Sequence, residues 1–223
     1  MPVTKAEVHT RIREIGILPA IRVNDPGRAC FAAETVYHGG ITIAEITMTV
    51  PNALDVITHL TKELPEAVIG AGTVLDVETA RRCLGAGALF LTSPGFVPEV
   101  VEFAVKNNVV IFPGALTPTE VIAAWKSGAD FVKVFPCAPV GGVSYIKSLK
   151  VPLPQIPLIA SGGVNQATAT GFIAAGATAL GLGTELIPHE AIELRQVERI
   201  SELARRFIAM VKDGRAQYER NSG

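Results

Sequence analysis

Apolar runs of four to six residues recur along the chain, each closed by Gly, Pro or a charged residue, and the stretches between them carry apolar residues at three- or four-residue steps. Runs of that length are buried strands, whereas the longer spacing is that of helices with one apolar face. The predicted strands are Ile17–Val23, Ile41–Met48, Ala67–Gly72, Leu89–Ser93, Val109–Phe112, Phe131–Phe135, Pro157–Ala160 and Ala179–Leu182. Helical spacing is clear over Asn52–Leu64, through Leu54, Ile57, Leu60 and Leu64, and again over Thr168–Ala175. Strands apolar on both faces, alternating with helices, imply a parallel sheet covered on both sides.

A helix end, a Gly, a small or apolar residue and a strand recur at Gly39-Gly40-Ile41, Gly87-Ala88-Leu89, Gly128-Ala129-Asp130 and Gly176-Ala177-Thr178, in steps of 48, 41 and 48 residues. A glycine just past a helix takes the left-handed conformation that other residues resist. About 45 residues hold two strand–helix units, so the repeat predicts eight units, and eight close into a (β/α)8 TIM barrel of one domain over 1–223. An open, doubly wound sheet is the competing arrangement. Residues 5–15 read as an extra leading helix. Leu194, Val197, Ile200, Leu203, Phe207, Ile208 and Val211 form the apolar stripe of a terminal helix expected to stop near Gly214.

Composition narrows the class of ligand. Of 223 residues 48% are apolar, mean hydropathy is +0.36, and 20 basic against 21 acidic residues leave a net charge of −1. Such a chain folds and carries no basic excess for nucleic acid or an acidic membrane surface. No apolar run nears the roughly 18 residues of a membrane-spanning helix, and Met1 to Arg13 is charged rather than apolar, which predicts a cytoplasmic protein. Three scattered cysteines and four scattered histidines lack metal-ligand spacing, so no metal is expected. A small neutral or anionic metabolite remains the fitting partner.

In a barrel of this kind the chemistry sits at the C-terminal ends of the strands. Of eight lysines only Lys133 stands inside an apolar run, Phe131-Val132-Lys133-Val134-Phe135, where the two-residue period points it the same way as both phenylalanines. A buried, unpaired ammonium tends to lose its proton, and the neutral amine attacks carbonyls. A purely structural Lys–Glu pair fits the same pattern. Glu45, within Ile43-Ala44-Glu45-Ile46 and on one strand face with Thr47 and Thr49, can serve as that partner or as an acid/base. Arg22 ends the first strand, and its fork suits a carboxylate, although a rim arginine paired with a surface acid reads identically. Gly162-Gly163 and Gly181-Leu182-Gly183-Thr184 end the last two strands, where backbone N–H groups of such barrels approach phosphate.

These residues carry a resemblance. Over residues 15–187 the chain resembles the 2-keto-3-deoxy-6-phosphogluconate (KDPG) and 4-hydroxy-2-oxoglutarate (KHG) aldolases, lysine-dependent class I aldolases of the (β/α)8 type. The match runs through Glu45-Ile46-Thr47-Met48-Thr49, Ile69-Gly70-Ala71-Gly72-Thr73-Val74, Ser93-Pro94-Gly95, Pro113-Gly114, Lys133-Val134-Phe135-Pro136, Gly162-Gly163-Val164 and Gly181-Leu182-Gly183-Thr184. It implies that Lys133 forms a Schiff base, that Glu45 is the general acid/base, and that Thr73, Pro94 and Phe135 shape the pocket. It further implies that Ser161, Gly162, Gly163, Gly183 and Thr184 hold the phosphate. The reaction implied is cleavage of KDPG to pyruvate and glyceraldehyde 3-phosphate, and of KHG to pyruvate and glyoxylate, by a homotrimer with no cofactor and no metal.

Two positions depart from the resemblance. Well-known members carry Arg four residues after the glutamate, where this chain has Thr49, and another branch places an arginine on the first strand, as Arg22 does here. Thr49 remains a candidate substrate contact, with Arg22 as the carboxylate anchor. Ser161 stands where many members have Thr, which leaves the substrate's C4 configuration open. The competing readings are a 2-keto-3-deoxy-6-phosphogalactonate aldolase and a non-catalytic barrel that binds a phosphate ligand. A phosphosugar epimerase would need a His/Asp metal set that the chain lacks.

Overall fold

In a computed structural model, residues 3–222 are described; positions 1, 2 and 223 of the 1–223 domain expectation lie outside them. The strands are β1 (Ile17–Ile21), β2 (Ile43–Thr47), β3 (Val68–Gly72), β4 (Phe90–Thr92), β5 (Val110–Phe112), β6 (Gly114–Ala115), β7 (Val132–Val134), β8 (Leu158–Ser161) and β9 (Ala179–Leu182). The helices are α1 (Lys5–Ile15), α2 (Pro26–His38), α3 (Ala53–Glu63), α4 (Val77–Gly85), α5 (Pro98–Lys106), α6 (Pro118–Lys126), α7 (Val143–Lys150), α8 (Ala169–Ala174), α9 (His189–Glu193) and α10 (Val197–Ser222). All strand pairs are parallel, in the order β5-β4-β3-β2-β1-β9-β8-β7-β6.

The expected fifth strand is broken in two. Pro113 has no N–H to give the ladder, and Gly114 passes so close to β4's loop that a β-carbon there would meet the Pro94 carbonyl oxygen at 2.0 Å. The ring nevertheless closes across this bend. Asp130 donates its N–H to the Ile111 carbonyl (3.0 Å), Lys133 to that of Pro113 (2.9 Å) and Phe135 to that of Ala115 (3.1 Å). The closed barrel therefore displaces the open-sheet alternative.

Alternation along the strands builds two cores. Outward residues such as Ile17, Ile46, Ile69, Leu91 and Val132 pack under the helices. Inward residues Leu18, Ile43, Val68, Phe90, Phe112, Phe131, Ile159 and Ala179 form the barrel's own floor, where the rings of Phe90 and Phe112 stack with centroids 5.1 Å apart. Helix α1 closes the barrel below by adding Val8 and Ile12 to that layer. Its start is fixed by a capping box of Thr4 and Glu7, and its end by Gly16 at φ +67°. One step of two residues above the floor, the inward positions become Ala20, Glu45, Gly70, Lys133, Ser161 and Gly181. Small residues dominate that layer, so the barrel has room there instead of packing.

Three local expectations are corrected. Gly40, at φ +101°, and not Gly39 takes the left-handed position before β2, while Gly87, Gly128 and Gly176 take it as expected. Most strands are trimmed at one or both ends, leaving Arg22 and Ser93 in the loops beyond β1 and β4, whereas β9 has its expected bounds and β8 is shifted by one residue to end on Ser161. Helix α10 does not stop at Gly214 but continues to Ser222. Gly214 is there for contact with α8, since a β-carbon would lie 2.7 Å from Ile173 Cβ and 2.8 Å from the Thr170 carbonyl oxygen. Burial pushes the thiols of Cys83 and Cys137 up to about 11, as suits core cysteines.

Candidate active site

The room left above the floor is a cavity of about 350 Å³ at the C-terminal ends of the strands. Lys133 rises into it from β7 as the period-two argument requires, its Nζ 5.8 Å from the centre of the Phe135 ring. Glu45 stands behind it, 3% exposed, with Oε2 at 3.6 Å from Lys133 Nζ. The ion pair places an amine in the lining of a partly apolar cavity with a carboxylate beside it, and Glu45 itself is not among the lining residues.

The other expected residues arrange around this pair. Thr73, Pro94 and Phe135 line the cavity, as does Arg22 just past β1. Thr73 adopts φ +59°, a conformation that is an outlier for a β-branched residue and that places it at the pocket wall. Ser161, Gly162, Gly163, Gly183 and Thr184 line it too, and a β-carbon on Gly162 would lie 3.1 Å from Phe135 Cδ2. Gly162 and Gly163 have successive φ of +81° and +87°, and a β-carbon on Gly163 would lie 2.2 Å from Ala138 Cβ. Among the described residues the backbone N–H groups of Gly163, Gly183 and Thr184 donate to no acceptor within the chain. Unpaired N–H groups in glycine-rich turns are the chemistry of an anion cradle.

Thr49 is not brought to the cavity. It is exposed in an adjoining groove with Arg22 and Arg28, its hydroxyl paired with Thr47 Oγ1 at 2.7 Å. Asn165, Glu185 and His189, which the sequence reading passes over, do line the cavity. They follow the glycine-rich strand ends within a few residues, and that nearness is the only signal they carried. Among the described residues no group of three or more His, Cys, Asp or Glu is placed to hold a metal ion, and no helix is long and apolar enough to cross a membrane.

A sequence profile of the family described as KDPG and KHG aldolase matches residues 8–203. The chain belongs to this aldolase family. The 2-dehydro-3-deoxy-phosphogluconate aldolase of Pseudomonas aeruginosa is 33% identical over 199 residues, covering 88% of this chain and 90% of that one. Among solved structures, the KDPG aldolase of Zymomonas mobilis ZM4 with 3-phosphoglycerate superposes with a TM-score of 0.83 at 27% identity, over 93% of this chain and 97% of that one. That of Legionella pneumophila, with pyruvate captured as a covalent carbinolamine, gives 0.82 at 27%, over 88% and 95%. The barrel fold and membership of the aldehyde-lyases both follow from these likenesses.

Proposed function

We propose that Lys133 is the Schiff-base lysine of this aldolase and Glu45 its general acid/base. The reaction is the reversible cleavage of KDPG into pyruvate and glyceraldehyde 3-phosphate. The observation that carries the assignment is the 3.6 Å approach of Glu45 to the one lysine inside the barrel, at the bottom of the cavity. The Lys133 amine attacks C2 of the substrate to give a carbinolamine, which loses water to a protonated imine. The C4 hydroxyl proton then passes to Glu45, through a water molecule, as the C3–C4 bond breaks and its electron pair enters the imine to form an enamine. Glyceraldehyde 3-phosphate leaves. Glu45 returns the proton to C3, and water hydrolyses the pyruvyl imine to free both pyruvate and Lys133. The protonated imine is the electron sink, so a metal ion has no role in this scheme.

Arg22 and Thr73 lie at the pyruvate end and suit the substrate carboxylate, with Thr49 beside Arg22 at the groove. Pro94 and Phe135 shape the pocket around the imine. Ser161, Gly162, Gly163, Gly183 and Thr184 receive the phosphate, some of them through unpaired N–H groups. KHG fits the same pyruvate half and adds glyoxylate as product. The chain acts as a cytoplasmic homotrimer of one barrel domain each, a reading supported by the family likeness and by exposed apolar side chains such as Leu75, Ile122 and Val151.

Pyruvate release, coupled to a dehydrogenase, is measured on KDPG, its galactonate epimer and KHG, with and without a chelator, and light scattering gives the subunit count. KDPG is expected to be cleaved with the highest kcat/KM and without loss in the chelator. Binding of all three without pyruvate release would leave a non-catalytic ligand barrel.

A further inference from the structure

The carboxylate of Glu45 needs a seat. It arises from the middle of β2, where every neighbour is buried, and among the described residues Lys133 is the only cation within 4.0 Å of it. Thr47, next on the same face, does not hold it, because its hydroxyl donates to the Ile21 carbonyl (3.0 Å) and accepts from the Thr49 hydroxyl (2.7 Å). What surrounds the carboxylate is the space above β3. Strands β2 and β3 pair in register, Glu45 opposite Gly70 and Thr47 opposite Gly72. Strand side chains lean along the strand, and that of Glu45 leans over Gly72. A β-carbon on Gly72 would lie 2.0 Å from Glu45 Oε1, 2.6 Å from Cδ and 2.7 Å from Cγ.

We infer that Gly72 is a positioning residue for the aldol chemistry: the volume of its missing side chain is the seat that fixes the Glu45 carboxylate beside Lys133. Backbone freedom does not explain this glycine, since it lies in a regular strand and is absent from the positive-φ positions. Gly72 is the last residue of β3, and the closeness of the carboxylate accounts for its missing side chain. With a side chain at 72, Oε1, Cδ and Cγ of Glu45 must shift, and proton transfer at C4 and C3 loses its positioned carboxylate while Lys133 is untouched.

The inference rests on the lysine-aldolase reading and is tested by a cycle that separates the two. Gly72→Ala is expected to lower kcat for KDPG at least 30-fold, with KM within threefold and pyruvate still trapped on Lys133 by borohydride. In a Glu45→Ala background, which lacks the three atoms that a methyl group on Gly72 would meet, the same change is expected to lower the residual kcat less than threefold. Equal losses in both backgrounds would show ordinary damage and overturn the seat. Should Gly72→Ala not fold, the cycle is read in stability with Glu45→Ala, where recovery of the folded double variant supports the seat and failure to recover it refutes it. Absence of trapping in the wild type would instead remove the lysine-aldolase reading and leave the stability cycle to decide on Gly72.

Discussion

Glu45 and Lys133 meet across the inside of the barrel, 3.6 Å apart, from strands β2 and β7 that are not neighbours in the ring. They reach each other because the inward positions on the strands between them are small: Ala20 on β1, Gly181 on β9 and Ser161 on β8. With 3% and 11% of their side chains exposed, neither is a solvated surface charge. Lys133→Met is expected to lower turnover by at least about 10³-fold, and Glu45→Gln by about 10²- to 10³-fold, both with native circular dichroism. A Glu45→Gln enzyme at the wild-type rate would take Glu45 out of the mechanism.

Arg22 stands just past the end of β1, on the wall shared by the cavity and the groove that holds Thr49. If it binds the substrate carboxylate, loss of a charged hydrogen bond costs about 1.5–3 kcal/mol. Arg22→Met should then lower kcat/KM by about 10- to 100-fold, mainly through KM. Thr49→Ala should change it by less than about threefold. The reverse order of effects would move the anchor from Arg22 to the groove.

Gly214 offers a stability test with an inverted sign. An exposed helical glycine gains about 1 kcal/mol on replacement by alanine. Gly214 is buried against Ile173 and Thr170, so Gly214→Ala is expected to destabilise by about 1–3 kcal/mol in urea unfolding.

His9 on α1 stacks on Phe131 beneath the floor, with ring centroids 4.7 Å apart. Burial lowers its pKa from the usual value, helped by Arg13 and Lys5 and opposed by Asp130. The unfolded chain therefore binds the proton more readily than the folded one. The stability concerned is complete above the unfolded pKa near 6.5 and is lost as pH falls from there through the lower folded value. Denaturant midpoints at pH 7.5 and 5.5 should fall less in His9→Gln than in the wild type.

The barrel was legible because its two periodicities are strong. Period-two alternation put Lys133 with Phe131 and Phe135, and the glycine repeat marked the turns before strands. The break at Pro113 was not legible, since it depends on Gly114 meeting Pro94 from another strand. The run of α10 through Gly214 was hidden for the same reason, as a glycine chosen for contact with α8 looks like a stop signal until α8 is placed. Asn165, Glu185 and His189 belong to loops without period, and only the closed ring brings them to the cavity.

The central claim is that Lys133 carries the substrate covalently. The wild type is incubated with pyruvate and borohydride, digested and sequenced by mass spectrometry. The account predicts a reduced pyruvyl adduct on the peptide bearing Lys133, absent from Lys133→Met. An unmodified Lys133, or an adduct on another lysine, would contradict it.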